Sequence, residues 1–310
     1  MRFTSKHIKD ALLQHPLARW GKRQAKRVVL PGFDGMPLFD VLLFFFRGLS
    51  NGYISTRASA VSFSIFLAIF PFLIFLFTII PFVPIAHFQQ SLLGLLEDFL
   101  PDMAWEPVKE TVIDIITRPR SGLLLLNFFL SLYFSTNGIN SLIEAFNSSA
   151  HSFETRTVVK QYLISALLLM ILSTLLIGAI GLMTVGPKVL FLLLPDSITG
   201  SDGYLFMINF LRWLIVLALI LMAISILYYL APARRSRFRL ISAGSMLATL
   251  LVIVTTLGFN FYVDNFSKYN ALYGSIGTLL VVMVWIYLNA ISLLVGFELN
   301  MSIRGARHET

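Results

Sequence analysis

Few residues in this chain are of a type that does chemistry, and the densest set falls inside an apolar stretch. Tyr133, Asn137, Asn140, Glu144 and Asn147 recur at spacings of three and four residues. At about 100° per residue they share an arc of about 80° on one helix face. Amides, a phenol and one carboxylate on such a face can hydrogen-bond a polar headgroup or a chain of waters. They can equally hold one helix to another. Both readings stay open at this point. Glu144 is expected near one end of its helix, where water reaches it.

A second set lies near the C-terminus. Gly274, Thr278, Trp285, Asn289, Ser292, Gly296 and Asn300 share one helix face. Small residues there let helices approach closely, so packing is the simplest use for this stripe. Pairing between the two stripes, with Asn140 opposite Asn289, is the expectation that would make them one polar pathway. Arg212 stands alone in NFLRWLIV, about two turns inside another apolar stretch. It is a candidate headgroup contact, able to snorkel to the surface or to pair with Asp264. Pro71 interrupts VSFSIFLAIFPFLIF and removes one backbone hydrogen bond, which makes it a candidate kink.

Other chemistries find no residues to carry them. There is no cysteine, so disulfides, thiol catalysis and cysteine-held zinc are excluded. The five histidines stand at 7, 15, 87, 151 and 308 without an H-E-x-x-H, and no metal site is expected. No G-x-x-x-x-G-K-[ST] is present, so the chain holds no nucleotide-driven motor of that kind. Gly-rich dinucleotide motifs are also missing. No cofactor and no enzymatic activity are expected.

The elements that must position these residues are membrane helices. Apolar residues make up 57% of the chain and charged ones only 13%, far too apolar a mix for a wettable surface. Six stretches exceed the roughly 20 residues needed to cross a bilayer: about 58–84, 121–146, 161–185, 205–230, 240–263 and 273–299. Inside lipid the backbone must satisfy itself, so these are helices, and the fold class is an all-α polytopic bundle. A shorter apolar run, 36–50, suits an interfacial amphipathic helix.

Basic residues orient the bundle. With the N-terminus inside, Arg47, Arg57, Arg156, Lys160, the arginines of 234–239, Arg304, Arg307 and the eight basic residues of 1–36 fall on the cytoplasmic side. That is eighteen of the 24 lysines and arginines. Residues 1–36 therefore read as a basic cytoplasmic tail, 37–303 as one membrane domain and 304–310 as a short cytoplasmic tail. The first span is expected to act as an uncleaved anchor. Residues 85–120 read as an acidic external segment of two short amphipathic helices, FQQSLLGLLEDFL and PVKETVIDIIT. The charge of +8 follows the membrane topology, so no nucleic-acid partner is expected.

Two stretches carry a family resemblance: RASAVSFSIFLAIFPFLIF from Arg57 to Phe75, and YNALYGSIGTLLVVMVWIYLNAISLLVGFELN from Tyr269 to Asn300. With Y-G-S-x-G at Tyr273–Gly277, W-x-Y at Trp285–Tyr287 and G-x-E-L-N at Gly296–Asn300, the chain resembles the YihY family of bacterial inner-membrane proteins. That family is also called the BrkB or virulence-factor-BrkB family, and was formerly mislabelled ribonuclease BN. The resemblance covers about residues 40–303. It implies a multi-pass protein of the bacterial inner membrane with a role in the cell envelope. Some relatives are proposed to move lipid-like molecules, including lipid A precursors. It supplies no accepted catalytic or binding residues.

The expected function is therefore a transporter, flippase or scramblase for a lipid-like envelope molecule, with no ATPase of its own and membrane lipids as partners. The alternative is a non-transporting scaffold that engages other envelope proteins through its acidic external segment.

Overall fold

The computed structural model describes residues 28–29, 32–51, 53–82, 93, 109–110, 113–114, 118–149, 156–193, 202–233, 239–265 and 268–309. Among these, seven α-helices and no strand are found. In chain order they are α1 (Leu38–Asn51), α2 (Ile54–Ile79, extended by a 3-10 turn at Ile80–Phe82), α3 (Ser121–Asn147), α4 (Val158–Leu193), α5 (Asp202–Leu230), α6 (Ala243–Asn265) and α7 (Lys268–Glu309).

All but α1 are long and apolar enough to cross a membrane, and the six spans match the six stretches expected from the sequence. Each span packs on the next, and the last returns to the first, so α2 to α7 form a closed ring. α1 lies outside the ring against α7. The long acidic segment 85–120 falls outside the described residues, apart from a few positions. Where it can be seen, Asp114 is paired with both Arg118 and Arg120.

The starts of α2, α4 and α6 lie at the same end of the bundle as the ends of α3, α5 and α7. Arg57, early in α2, donates to the carbonyl of Ala145 late in α3. Arg156, just before α4, donates to carbonyls that end α5. Gly244, early in α6, donates to Asn300 late in α7. This shared end carries most of the described basic residues and is termed the basic end.

The short helix expected at 36–50 is present as α1, 14 residues long and packed on α7. Residues 304–309, read as a tail, continue α7. Ile303 and Ala306 are buried against Phe33, Met36 and Val41, and that apolar contact carries the helix past the span. At Pro71 the helix α2 runs on without a break.

The core concentrates toward the basic end. Ala58, Val61, Leu142, Ile143, Phe146, Leu168, Ile224, Leu227, Tyr228, Ala248, Leu294 and Phe297 form one buried cluster drawn from all six spans. Small residues set the closest crossings. A Cβ at Gly244 would collide with the carbonyl of Gly296, and a Cβ at Gly296 with Gly244 and Ala248. Only glycine at both positions lets α6 and α7 cross so tightly.

A polar cleft and a buried ion pair at the basic end

The stripe on α3 meets the start of α4 in a half-open cleft of ≈ 460 Å³. Asn140, Glu144, Asn147, Arg156, Gln161 and Tyr162 supply its polar lining. Asn140 Nδ2 donates to Glu144 Oε1 at 2.8 Å, and Gln161 Nε2 donates to Asn140 Oδ1 at 2.9 Å and to Glu144 Oε1 at 3.3 Å. Tyr162 donates to Asn137 Oδ1 at 3.4 Å. One carboxylate thus sits in a net of amides, and Glu144 itself is exposed.

Part of this lining holds the bundle together. The guanidinium of Arg156 donates to the carbonyls of Leu230, Ala231 and Pro232, capping the C-terminus of α5 where the helix carbonyls would otherwise lack donors. Asn147 Oδ1 accepts from the Ala233 amide at 2.9 Å. Farther up the stripe the surroundings change. Asn140 is buried, Asn137 half-buried, and Tyr133 exposed on the apolar belt. The α3 stripe therefore runs from a polar cleft out to the lipid-facing surface.

The stripe on α7 does not face it. Asn300 accepts from the Gly244 amide at 2.8 Å and donates to Ser242 Oγ at 3.0 Å, capping the start of α6. Ser292 is 3.3 Å from Thr255 of α6. Asn289 donates to the carbonyl of Trp285 on its own helix, at 2.9 Å. The expected meeting of Asn140 with Asn289 is absent: Asn140 turns to α4, and the α7 stripe turns to α6. Polar groups of both stripes find partners, Asn140 on α4, Ser292 and Asn300 at α6, and Asn289 on its own helix. Of Gly274 and the Thr278 side chain nothing is described. Arg212 is half-buried and donates to Asn209 Oδ1 at 3.4 Å; the side chain of Asp264 lies outside the described residues.

The most buried charges are ones the sequence reading did not single out. Glu298 of α7 is fully buried and stands 3.5 Å from Arg57 of α2, itself 9% exposed. Ser149, just past α3, donates to Glu298 Oε2 at 2.9 Å, and Arg57 Nη1 donates to the Ala145 carbonyl at 2.7 Å. Gly48 of α1 presses so closely on Glu298 that a Cβ there would collide with the carboxylate. One ion pair therefore joins α1, α2, α3 and α7. An acid inside the sixth span and an arginine opening the first, both in the stretches that carry the resemblance, were the signal available in the sequence.

A family model described as virulence factor BrkB matches residues 45–310. The chain belongs to the virulence factor BrkB family. Its BrkB-family elements have visible structural uses: Gly296 forms the tight crossing, Glu298 the ion pair and Asn300 the cap of α6, while Tyr287 shares a hydrogen bond with Ser55 at 2.8 Å. Among curated relatives, YfkH of Bacillus subtilis (strain 168), whose name carries the words ribonuclease-like, is 29% identical over 79% of this chain and 88% of its own length. A UPF0761 membrane protein of Coxiella burnetii (strain Dugway 5J108-111) is 23% identical over 82% of this chain and 90% of its own. A UPF0761 membrane protein of Xanthomonas campestris pv. campestris (strain B100) is 34% identical over 28% of this chain and 20% of its own. No solved structure matches the chain. The BrkB-family chain is thus a multi-pass membrane protein. Among the described residues no group of three or more His, Cys, Asp or Glu is placed to hold a metal.

Proposed function

We propose that this BrkB-family protein is an inner-membrane transporter, flippase or scramblase for a lipid-like envelope molecule, with its basic end in the cytoplasm and no enzymatic activity. The observation that supports it is the polar cleft at the basic end and its continuation along α3 to the exposed Tyr133. A charged or strongly polar headgroup in bare hydrocarbon costs several kcal/mol. A groove that offers amides and a carboxylate on one side, and hydrocarbon on the other, lowers that cost while the tails stay in lipid. A volume of ≈ 460 Å³ is in the range of small-molecule sites.

The ribonuclease-like wording of the YfkH name is not carried over. A metal-dependent nuclease needs several acidic or histidine ligands in a basic groove, whereas this cleft sets one carboxylate, Glu144, among amides. The scaffold reading depends on the segment 85–120, most of which lies outside the described residues.

The test is reconstitution in liposomes with headgroup- and tail-labelled lipids. Wild-type protein is expected to speed redistribution between leaflets, and the triple change Asn140→Leu, Glu144→Leu, Gln161→Leu to slow it about tenfold, the effect of about 1.4 kcal/mol on a barrier. Movement no faster than in empty vesicles, across a broad panel of lipids, would overturn the reading.

A further inference from the structure

The cleft between α3 and α4 spends its donors inside the protein. Asn140 Nδ2 and Gln161 Nε2 both donate to Glu144 Oε1, and Gln161 Nε2 also reaches Asn140 Oδ1. The Tyr162 hydroxyl donates to Asn137, and the Ser148 hydroxyl to the Glu144 backbone carbonyl at 2.8 Å. Arg156, the one lysine or arginine among the described lining residues, is turned to the carbonyls that end α5.

What the cleft keeps is acceptors. Both amide bonds to the Glu144 carboxylate fall on Oε1, and no described residue donates to Oε2 or forms an ion pair with it. Gln161 Oε1 likewise receives no donor from a described residue. Against these stands one amide nitrogen of the lining, Asn147 Nδ2, whose own oxygen holds the Ala233 amide. Glu144 is exposed and Gln161 half-buried, so both open acceptors belong to side chains that solvent reaches.

This inventory selects among headgroups. An ammonium carries three N–H donors and no acceptor, and a bond from it to a carboxylate is about twice as strong as one between neutral groups. A phosphate offers acceptors only and has the same sign of charge as Glu144. The lysines and arginines of the basic end draw anionic headgroups to the surface in general. Within the cleft the sign is reversed, and like charge works against them.

We propose that the cleft is an ammonium site, which takes the primary amine of a lipid headgroup with Glu144 as its counter-ion and Gln161 Oε1 as a second acceptor. The inference rests on the transport reading above and narrows its substrate class to amine-bearing lipids. The amide net on Oε1 serves to fix the carboxylate so that Oε2 faces the ligand.

The test is calorimetric titration of the full-length protein in detergent micelles with three short-chain lipids. These are dihexanoyl phosphatidylethanolamine, its N-acetylated form, which has lost the amine's charge, and dihexanoyl phosphatidylglycerol. The first is expected to bind about tenfold more tightly than the other two, the effect of one hydrogen bond between charged groups. Glu144→Gln keeps the shape and an acceptor for the two amides. It is expected to erase that preference and leave phosphatidylglycerol binding unchanged. Glu144→Lys is expected to turn the preference toward phosphatidylglycerol; should it fail to fold, Glu144→Gln decides alone. Equal affinity for the three lipids, or an unchanged preference in folded Glu144→Gln, would overturn the ammonium site. Free ethanolamine distinguishes the source of the amine. Failure to displace the lipid at equal concentration supports a lipid ligand, and full displacement overturns it in favour of a soluble amine. Liposome redistribution is read separately. Movement at one speed for lipids with and without the amine overturns this inference and keeps transport. Selective binding with no redistribution supports the ammonium site and overturns transport.

Discussion

The two halves of this bundle are built from equally apolar helices and assembled in different ways. Toward the basic end, side chains from all six spans share one core, glycines bring α6 and α7 into backbone contact, and an ion pair joins four helices. Toward the far end fewer side chains are buried, among them Thr78 of α2, Asn127 and Ser131 of α3 and Ile208 of α5, and many large apolar side chains are exposed. In lipid no hydrophobic force separates these two arrangements, because a leucine is as well solvated by acyl chains as by another leucine. Packing and polar contacts decide, and they are concentrated at one end. The bundle is therefore braced most firmly at the basic end.

The comparison breaks most readily at the ion pair and at the rings of Phe146, Tyr228 and Phe297, whose centroids are 4.4 to 5.6 Å apart. Glu298→Ala leaves Arg57 buried without its partner, and loss of one member of a buried pair costs about 3–5 kcal/mol. Phe146→Ala removes a fully buried ring from the three-way contact, at about 3–5 kcal/mol. Both are expected to lower the thermal unfolding midpoint in nanodiscs more than any far-half change. The double change Arg57→Met with Glu298→Met is expected to recover much of the loss, since replacing both partners removes the buried charge altogether. A Glu298→Ala protein as stable as the parent would show that the ion pair does not brace this end.

The sequence makes the spans and their number legible, because length and hydropathy are local properties. Asn140, Glu144 and Asn147 are also legible as one face, since helical periodicity is local. Partner choice is not. Asn140 and Asn289 lie on faces of equal promise, and only the order of helices around the ring sends one to α4 and the other to its own backbone. Arg57 looks like a charge anchoring the first span until Glu298, 241 residues later, is brought beside it. Phe146, Tyr228 and Phe297 are three among many aromatics in the chain. Nothing in their spacing announces that they share a depth, which follows from where each helix enters the bilayer.

The next effect in size lies at the α6–α7 crossing. Gly244→Ala would place a methyl group against the Gly296 carbonyl and the Asn300 amide. Forcing those helices apart costs about 1–3 kcal/mol, and pulls Asn300 from the start of α6. A lowered unfolding midpoint is expected, together with faster hydrogen exchange at the first turn of α6. An unchanged exchange rate there would show that the crossing tolerates a wider gap. A smaller loss, about 1 kcal/mol, is expected for Asn147→Ala, which removes the acceptor for the Ala233 amide beyond α5.

The smallest expected effect is the sharpest test of the contrast. Phe210→Ala on α5 sits five turns from Tyr228 on the same face, and its ring is mostly uncovered. If that face meets lipid chains, the missing ring is replaced by acyl methylenes and no cavity remains. Stability is then expected to change by less than about 0.5 kcal/mol, as for other changes away from packed sites. Phe146→Ala, chemically the same deletion, is expected to cost several times more. The two unfolding midpoints, measured side by side in one lipid, thus compare the halves directly. Equal losses would mean that the far half is packed as tightly as the basic half.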